Sequence, residues 1–260
     1  MTYSEKMMLR IEGLTKTYGV NGTPGMCALG GVSFDVPRGA FVSLVGPSGC
    51  GKSTLLQCVC GLMRPTGGRV TLGGREIVSP PPEMALIFQN AAASLFPWFT
   101  IRGNIRFVLR HAAGTKAEKT DKAMEALRSV GLADFAGHYP WQLSGGMQQR
   151  AALARGLAYG ADILLLDEPF ASVDAQTREE LEDLLAGVAL AQSKTVLFVT
   201  HDIDEAVYLS DAVVALTPPP ARVAAVLPID LPRPRDQIAS RERRDFLDAR
   251  KAIHALLRHE

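Results

Sequence analysis

Residues 40–45, 84–89, 163–166 and 195–200 are short apolar runs, and each gives way to a glycine or a polar side chain. Runs of that length predict buried strands of an α/β sheet. Residues 9–18 alternate over several positions and predict another strand. Residues 32–36 alternate apolar and polar, the pattern of a half-buried antiparallel strand, and Pro37-Arg38-Gly39 closes it. Asn21-Gly22 and the glycines as far as Gly31 predict turns, and residues 65–74 predict a turn, a short strand and a second turn. Helical spacing recurs in Ala123, Leu127 and Val130, in Leu181, Leu184, Leu185 and Val188, and in Phe246, Ile253, Leu256 and Leu257. Residues 90–160 therefore read as mostly helical, inserted between strands of a core. Pro218-Pro219-Pro220 makes a stiff break, residues 222–227 add an edge strand, and Leu231-Pro232-Arg233-Pro234-Arg235 is extended. One stretch fits neither pattern. Residues 91–100 are apolar and aromatic but broken by Pro97, which suits either a subdomain core or a docking surface.

A chain of 260 residues accommodates one large α/β domain or a core with a subdomain. Its formal charge of +1 gives no support to a nucleic-acid footprint. No apolar run approaches the ~20 residues that span a bilayer. Residues 1–6 lack the apolar core of a signal peptide, so the expected place is the cytosol, or a membrane surface reached through a partner. The four cysteines, Cys27, Cys50, Cys58 and Cys60, make no disulfide framework. Cys58 and Cys60 lie in an apolar helix and are expected to be buried. Cys50 lies inside a glycine-rich loop, where its thiol is expected to be open to modification when the loop is empty.

That loop is Gly46-Pro47-Ser48-Gly49-Cys50-Gly51-Lys52-Ser53-Thr54, set between a predicted strand and a predicted helix. The glycines permit backbone conformations that turn successive N–H groups inward around an anion, and the helix start adds the positive end of its dipole. Lys52 can reach the β- and γ-phosphates of a nucleoside triphosphate, and the Ser53 hydroxyl can ligate Mg²⁺. Tyr18, at a strand end upstream, can stack on a base or be an ordinary strand-end tyrosine. Ser144-Gly145-Gly146 opens a second helix suited to phosphate, with Ser144 as N-cap. Asp167 and Glu168 end an apolar strand, where the first can hold Mg²⁺ through water and the second can take a proton from an attacking water. Gln89 and His201 each emerge at a strand end, where α/β folds place ligands; an imidazole there can bond a γ-phosphate or be merely structural.

Taken together the motifs resemble the nucleotide-binding subunit of an ATP-binding cassette (ABC) transporter, over residues 9–216. The phosphate loop is shared by many NTPases, whereas Leu143-Ser144-Gly145-Gly146-Met147-Gln148-Gln149-Arg150 is similar to the signature that defines this family. The resemblance implies an α/β P-loop NTPase (RecA-like) core with an antiparallel β subdomain and an inserted helical signature subdomain. Its parts would be a core of residues 1–90 and 161–216, a helical subdomain of 91–160 and a C-terminal extension of 217–260. It implies that Tyr18 stacks on adenine, that Gln89 senses Mg²⁺ and the attacking water, that Asp167 supports Mg²⁺, that Glu168 is the catalytic base and that His201 is the switch histidine. It implies that Ser172-Val173-Asp174 crosses between protomers, with Val173 where the family usually has leucine. Two copies would pair head to tail, so that Ser144, Gly145, Gly146 and Gln148 of one complete the ATP site of the other. Leu95-Phe96-Pro97-Trp98 followed by Asn104, with the proline-arginine segment at 231–235, is similar to importers of nitrate, sulfonates and taurine. The expected partners are then a permease docked near Phe96 and Trp98 and a periplasmic or extracellular solute-binding protein, with the chain peripheral on the inner membrane face.

Two other classes compete with that expectation. A cassette ATPase acting mechanically on DNA or ribosomes tends to carry two cassettes, zinc modules or long coiled-coil insertions, and this chain has none. A P-loop small-molecule kinase lacks the signature helix and the glutamate after the strand-end aspartate.

Overall fold

The computed structural model describes residues 7–19, 25–171 and 173–258. Its centre is a six-stranded sheet in the order β10-β9-β3-β8-β7-β6. The strands are β3 (Phe41–Val45), β6 (Met84–Ile87), β7 (Ile163–Asp167), β8 (Thr195–Val199), β9 (Ala212–Leu216) and β10 (Val223–Pro228). All run parallel except β10, which pairs antiparallel with β9 at one edge. All five residues of β3 and of β8 are buried, as a strand covered on both faces requires. β6 is different, an edge strand with two half-buried residues.

The two faces of this sheet feed two cores. Leu164, Leu166, Val196 and Phe198 point to the helices; Leu165, Leu197, Val199, Val42 and Leu44 point to the other side. That alternation is the two-residue period of a strand. The second core lies under an antiparallel sheet of order β2-β1-β4-β5, made of β1 (Met7–Tyr18), β2 (Met26–Pro37), β4 (Gly67–Leu72) and β5 (Arg75–Glu76). Between the sheets runs α1 (Lys52–Val59), with Leu55, Leu56, Cys58 and Val59 buried. β2 begins at Met26, so the glycines Gly30 and Gly31 lie in a strand rather than in the expected turn. Buried Ala28 and Leu29 keep that segment on the core, and shifts in the β1–β2 register absorb the glycines.

The helical core gathers α3 (Ile101–Val108), α4 (Lys116–Ser129) and α5 (Gly145–Tyr159) around Ile101, Ile105, Leu127, Val130 and Leu153. A short helix, α2 (Ala91–Ser94), precedes them. α6 (Ala175–Ala191), α7 (Ile203–Leu209) and α8 (Arg244–Arg258) complete the chain. The proline-arginine segment closes the end of α7. Arg235 donates to the carbonyls of Val207, Tyr208 and Ser210 at 3.3, 2.6 and 2.9 Å, and Arg233 to that of Leu209 at 3.1 Å. Two guanidinium groups thus satisfy helix-end carbonyls that have no partner of their own in the helix. Among the described residues no helix is long and apolar enough to cross a membrane.

Candidate functional site

Because β3, β6, β7 and β8 are parallel, their C-terminal ends share one edge of the sheet, and the chain leaves each at a residue singled out by sequence. After β3 comes the phosphate loop. Gly49 and Gly51 have φ of 75° and 108°, backbone open to glycine and strained for other residues. Gly51 is the N-cap of α1 and provides no side-chain cap, so the first N–H groups of the helix are left to an anion. Lys52 is buried and folded back, donating to the carbonyls of Gly46 and Pro47 at 2.9 and 3.1 Å. Ser48, Gly49 and Ser53 are exposed. Cys50 is not: it is fully buried, against the expectation of an accessible thiol. The loop turns its side chain inward, its Sγ 3.0 Å from where a Cβ on Gly46 would stand, and burial pushes the thiol pKa up.

Tyr18 lies beside the start of α1, its hydroxyl 3.0 Å from Thr54 Oγ1. The ring is 42% exposed and Lys16 Nζ stands 5.6 Å from its centroid. A half-open ring in that place offers a flat face next to the phosphate loop.

The carboxylates follow at the end of β7. Burial raises the pKa of Asp167, and a hydrogen bond from the Ser53 side chain works the other way. Glu168 has φ of 43°, one of two described non-glycine residues with positive φ. Its Oε2 accepts from His201 Nδ1 at 3.0 Å and from Gln89 Nε2 at 3.5 Å, while its Oε1 lies 3.9 Å from Lys52 Nζ. The structure therefore brings Lys52, Gln89 and His201 to the one carboxylate of Glu168. Such a group, flanked by donors and near a phosphate loop, can orient water and take its proton. Among the described residues no three His, Cys, Asp or Glu side chains converge as a metal cage. The paired Ser53 hydroxyl and Asp167 carboxylate fit Mg²⁺, which prefers few protein oxygens completed by phosphate and water.

The signature stands apart from this group. Ser144 caps α5, accepting from Met147 N–H at 3.3 Å, and Ser144 and Gly145 are exposed. No described hydrogen bond or ion pair joins residues 143–150 to residues 46–54. Gln148 is engaged at home, donating to the carbonyls of Pro140 and Leu143 at 2.9 and 3.0 Å. Gly146 abuts α6: a Cβ there would meet Thr177 Cγ2 at 2.6 Å. Asp174 caps α6 through Thr177 N–H at 3.0 Å and Thr177 Oγ1 at 2.8 Å, which holds its carboxyl below the usual range. Ser172 lies outside the described residues.

The aromatic stretch divides between core and surface. Leu95 is buried and Phe96 half-buried, whereas Trp98 is 66% exposed. Phe96, Trp98, Phe99 and Phe107 form one cluster, with Phe96 4.8 Å from Phe107 and 5.6 Å from Trp98 between centroids. Buried Asn104 pins the loop, accepting from Phe96 N–H at 2.7 Å and donating to three carbonyls. Beside the cluster a cleft of about 360 Å³ opens along β6, lined by Leu86, Phe96, Phe107, Arg155 and Tyr159. A second exposed aromatic, Trp141, stacks on Tyr139 just before Ser144, a pair with no periodic pattern to mark it in the sequence. Arg178 and Glu205 cross between α6 and α7, and the sequence signal for that contact is an arginine one turn past a capping aspartate.

A protein-family profile described as "ABC transporter" matches residues 29–171. An uncharacterized ABC transporter ATP-binding protein of Methanocaldococcus jannaschii is 45% identical over 98% of this chain and 93% of its own. The taurine import ATP-binding protein of Rhizobium johnstonii is 41% identical over 88% of each. Among solved structures, the dimeric structure of a post-hydrolysis state of an ATP-binding cassette bound to ADP and Pi superposes with a TM-score of 0.74. It is 32% identical and covers 85% of this chain and 99% of that one.

Proposed function

The chain belongs to the ABC transporter family and is an ATPase, and on that premise we propose that it powers uptake of a small solute of the nitrate, sulfonate and taurine kind through a partner permease. The observation that carries the ATPase chemistry is the Glu168 carboxylate, set among His201, Gln89 and Lys52 at the edge where the phosphate loop opens. Lys52 moves from the Gly46 and Pro47 carbonyls to the β- and γ-phosphates, which are stronger acceptors. The N–H groups of Gly49, Cys50, Gly51 and the first turn of α1 cradle the same phosphates, with Thr54 and Tyr18 on the nucleoside side. Glu168 takes the proton of the attacking water, Gln89 and His201 orient it, and Ser53 and Asp167 would hold Mg²⁺. When bound, Mg²⁺ neutralises charge developing on the phosphate oxygens.

One chain supplies half of this site. Ser144 and Gly146 present a capped helix N-terminus that does not meet the chain's own phosphate loop, and a second copy supplies that missing half. The dimeric cassette structure supports this reading, as does the exposed place of Asp174 at the start of α6. Import is supported by the likeness to a taurine import subunit, and the permease is assigned to the cleft and aromatic cluster around Phe96 and Trp98. A solute-binding protein outside the membrane completes the system. Residues 91–160 act as the helical subdomain of one nucleotide-binding unit.

Glu168→Gln tests the core of the reading. Removing the base lowers ATP turnover by about 10²–10⁴-fold and leaves binding intact, so the variant accumulates as an ATP-bound dimer on gel filtration. A variant that stays monomeric with millimolar ATP and Mg²⁺, or that keeps wild-type turnover, counts against it.

A further inference from the structure

The turn after β8 carries His201 between two tightly held neighbours. Thr200 Oγ1 accepts from Asp202 N–H at 2.9 Å and donates to Glu205 Oε2 at 2.5 Å. Asp202 caps α7, its Oδ1 accepting from the N–H groups of Asp204 and Glu205 at 2.8 and 3.3 Å. The position of His201 is thus set by the first turn of α7. Across from it, the loop that ends in Val173 and Asp174 leads into α6. One turn into α6, Arg178 reaches both segments. Its Nη2 donates to the Val173 carbonyl at 3.4 Å, its Nη1 to Asp202 Oδ2 at 3.5 Å, and its Nε stands 3.5 Å from Glu205 Oε1. Glu205 is 6% exposed, and Arg178 is the described cation paired with it.

We infer that Arg178 is a positioning residue for ATP hydrolysis, its guanidinium holding the Val173–Asp174 segment in register with the turn that sets His201 against Glu168. The inference rests on the roles given above to Glu168 and His201. The geometry needs a fork. Two acceptors, the Val173 carbonyl and Asp202 Oδ2, and the carboxylate of Glu205 surround one planar group, an arrangement that lysine, a single point charge on a flexible stem, does not reproduce. A partner copy that presses on Val173 and Asp174 then reaches the turn of His201 through Arg178. A plain ion pair stitching α6 to α7 predicts something else: lower stability with unchanged turnover.

Steady-state ATPase assays on the full chain separate the two, using Arg178→Ala, Arg178→Lys, Glu205→Gln and the double variant Arg178→Ala/Glu205→Gln, each with a urea unfolding curve. Arg178→Ala is expected to lower kcat about 10- to 100-fold, the effect of misplacing a reacting group by about an ångström. KM for ATP should stay within about threefold, because no phosphate or base contact is lost. Arg178→Lys should recover part of kcat. Glu205→Gln should lower kcat as well, and the double variant should be no slower than the slower single, since both act through one contact. Turnover within about twofold of wild type in Arg178→Lys and Glu205→Gln, a rise in KM alone, or losses that multiply in the double variant would overturn the inference. If Arg178→Ala does not fold, Arg178→Lys and Glu205→Gln still decide it. Failure of the broader reading shows separately, as unchanged turnover in Glu168→Gln.

Discussion

Glu168 sits at a backbone conformation that costs a side-chain-bearing residue about 1–2 kcal/mol, with φ of 43°. Strain of this kind survives where neighbours over-determine it, and here its backbone N–H donates to the Val199 carbonyl at 2.9 Å while its carboxylate meets three side chains. Glu205 presents the opposite economy, an unstrained residue in an unfavourable medium. Burial pushes its carboxyl from the ordinary 4.5 up to about 7, ahead of the hydrogen bond from Thr200, with Asp202 and Glu182 adding to the rise and Arg178 opposing it. Between those two values the folded chain holds a proton that the unfolded chain has lost. The contribution is therefore fully present below about pH 4.5 and disappears as pH rises through about 7. Glu205→Gln is neutral throughout, so its stability relative to wild type should rise between about pH 5 and 8. Urea midpoints of the two proteins across that range check the sign.

At the scale of elements, α5 and α6 meet end to end through a glycine. Thr177 cannot swing its methyl away from Gly146 without losing its hydrogen bond to Asp174 at 2.8 Å. Gly146→Ala should therefore destabilise the fold by about 1–3 kcal/mol through overpacking, against the gain of about 0.5–1 kcal/mol that alanine brings to a helix. Adding Thr177→Ser removes the methyl and should restore most of the loss, as read from urea unfolding. The glycine pair was legible as an opened helix start, but its packing partner was not, because Thr177 is distant in sequence. The same limit explains other differences. The five-residue apolar runs and the capped helices announced themselves by local pattern. Cys50 did not, since whether a loop side chain points in or out is decided by what lies beneath it. Arg233 and Arg235 read as an extended segment, and their work as a clasp on α7 depends on a helix end more than twenty residues upstream. The strand at Met26 was hidden by glycines that its partner strand tolerates through register shifts.

At the scale of the whole molecule, strand order decides chemistry. Because β3, β8, β7 and β6 are neighbours in that sequence, the phosphate loop, His201, the two carboxylates and Gln89 stand in a row along one edge. The helical core then carries two further surfaces, the Ser144 helix start and the Phe96–Trp98 cluster. The arrangement separates hydrolysis from docking, so Trp98→Asp should abolish coupling to transport in membrane vesicles containing the permease, while ATP binding by the isolated chain is kept. Loss of nucleotide binding in that variant would instead place Trp98 within the fold's support. The chain has two tryptophans, Trp98 and Trp141, and both are exposed on the helical insertion. Emission excited at wavelengths that tyrosine does not absorb comes from those two rings alone, one beside the cleft along β6 and one three residues before Ser144. Without any label, the protein's own light reports what comes to rest on those two outer faces of the helical insertion.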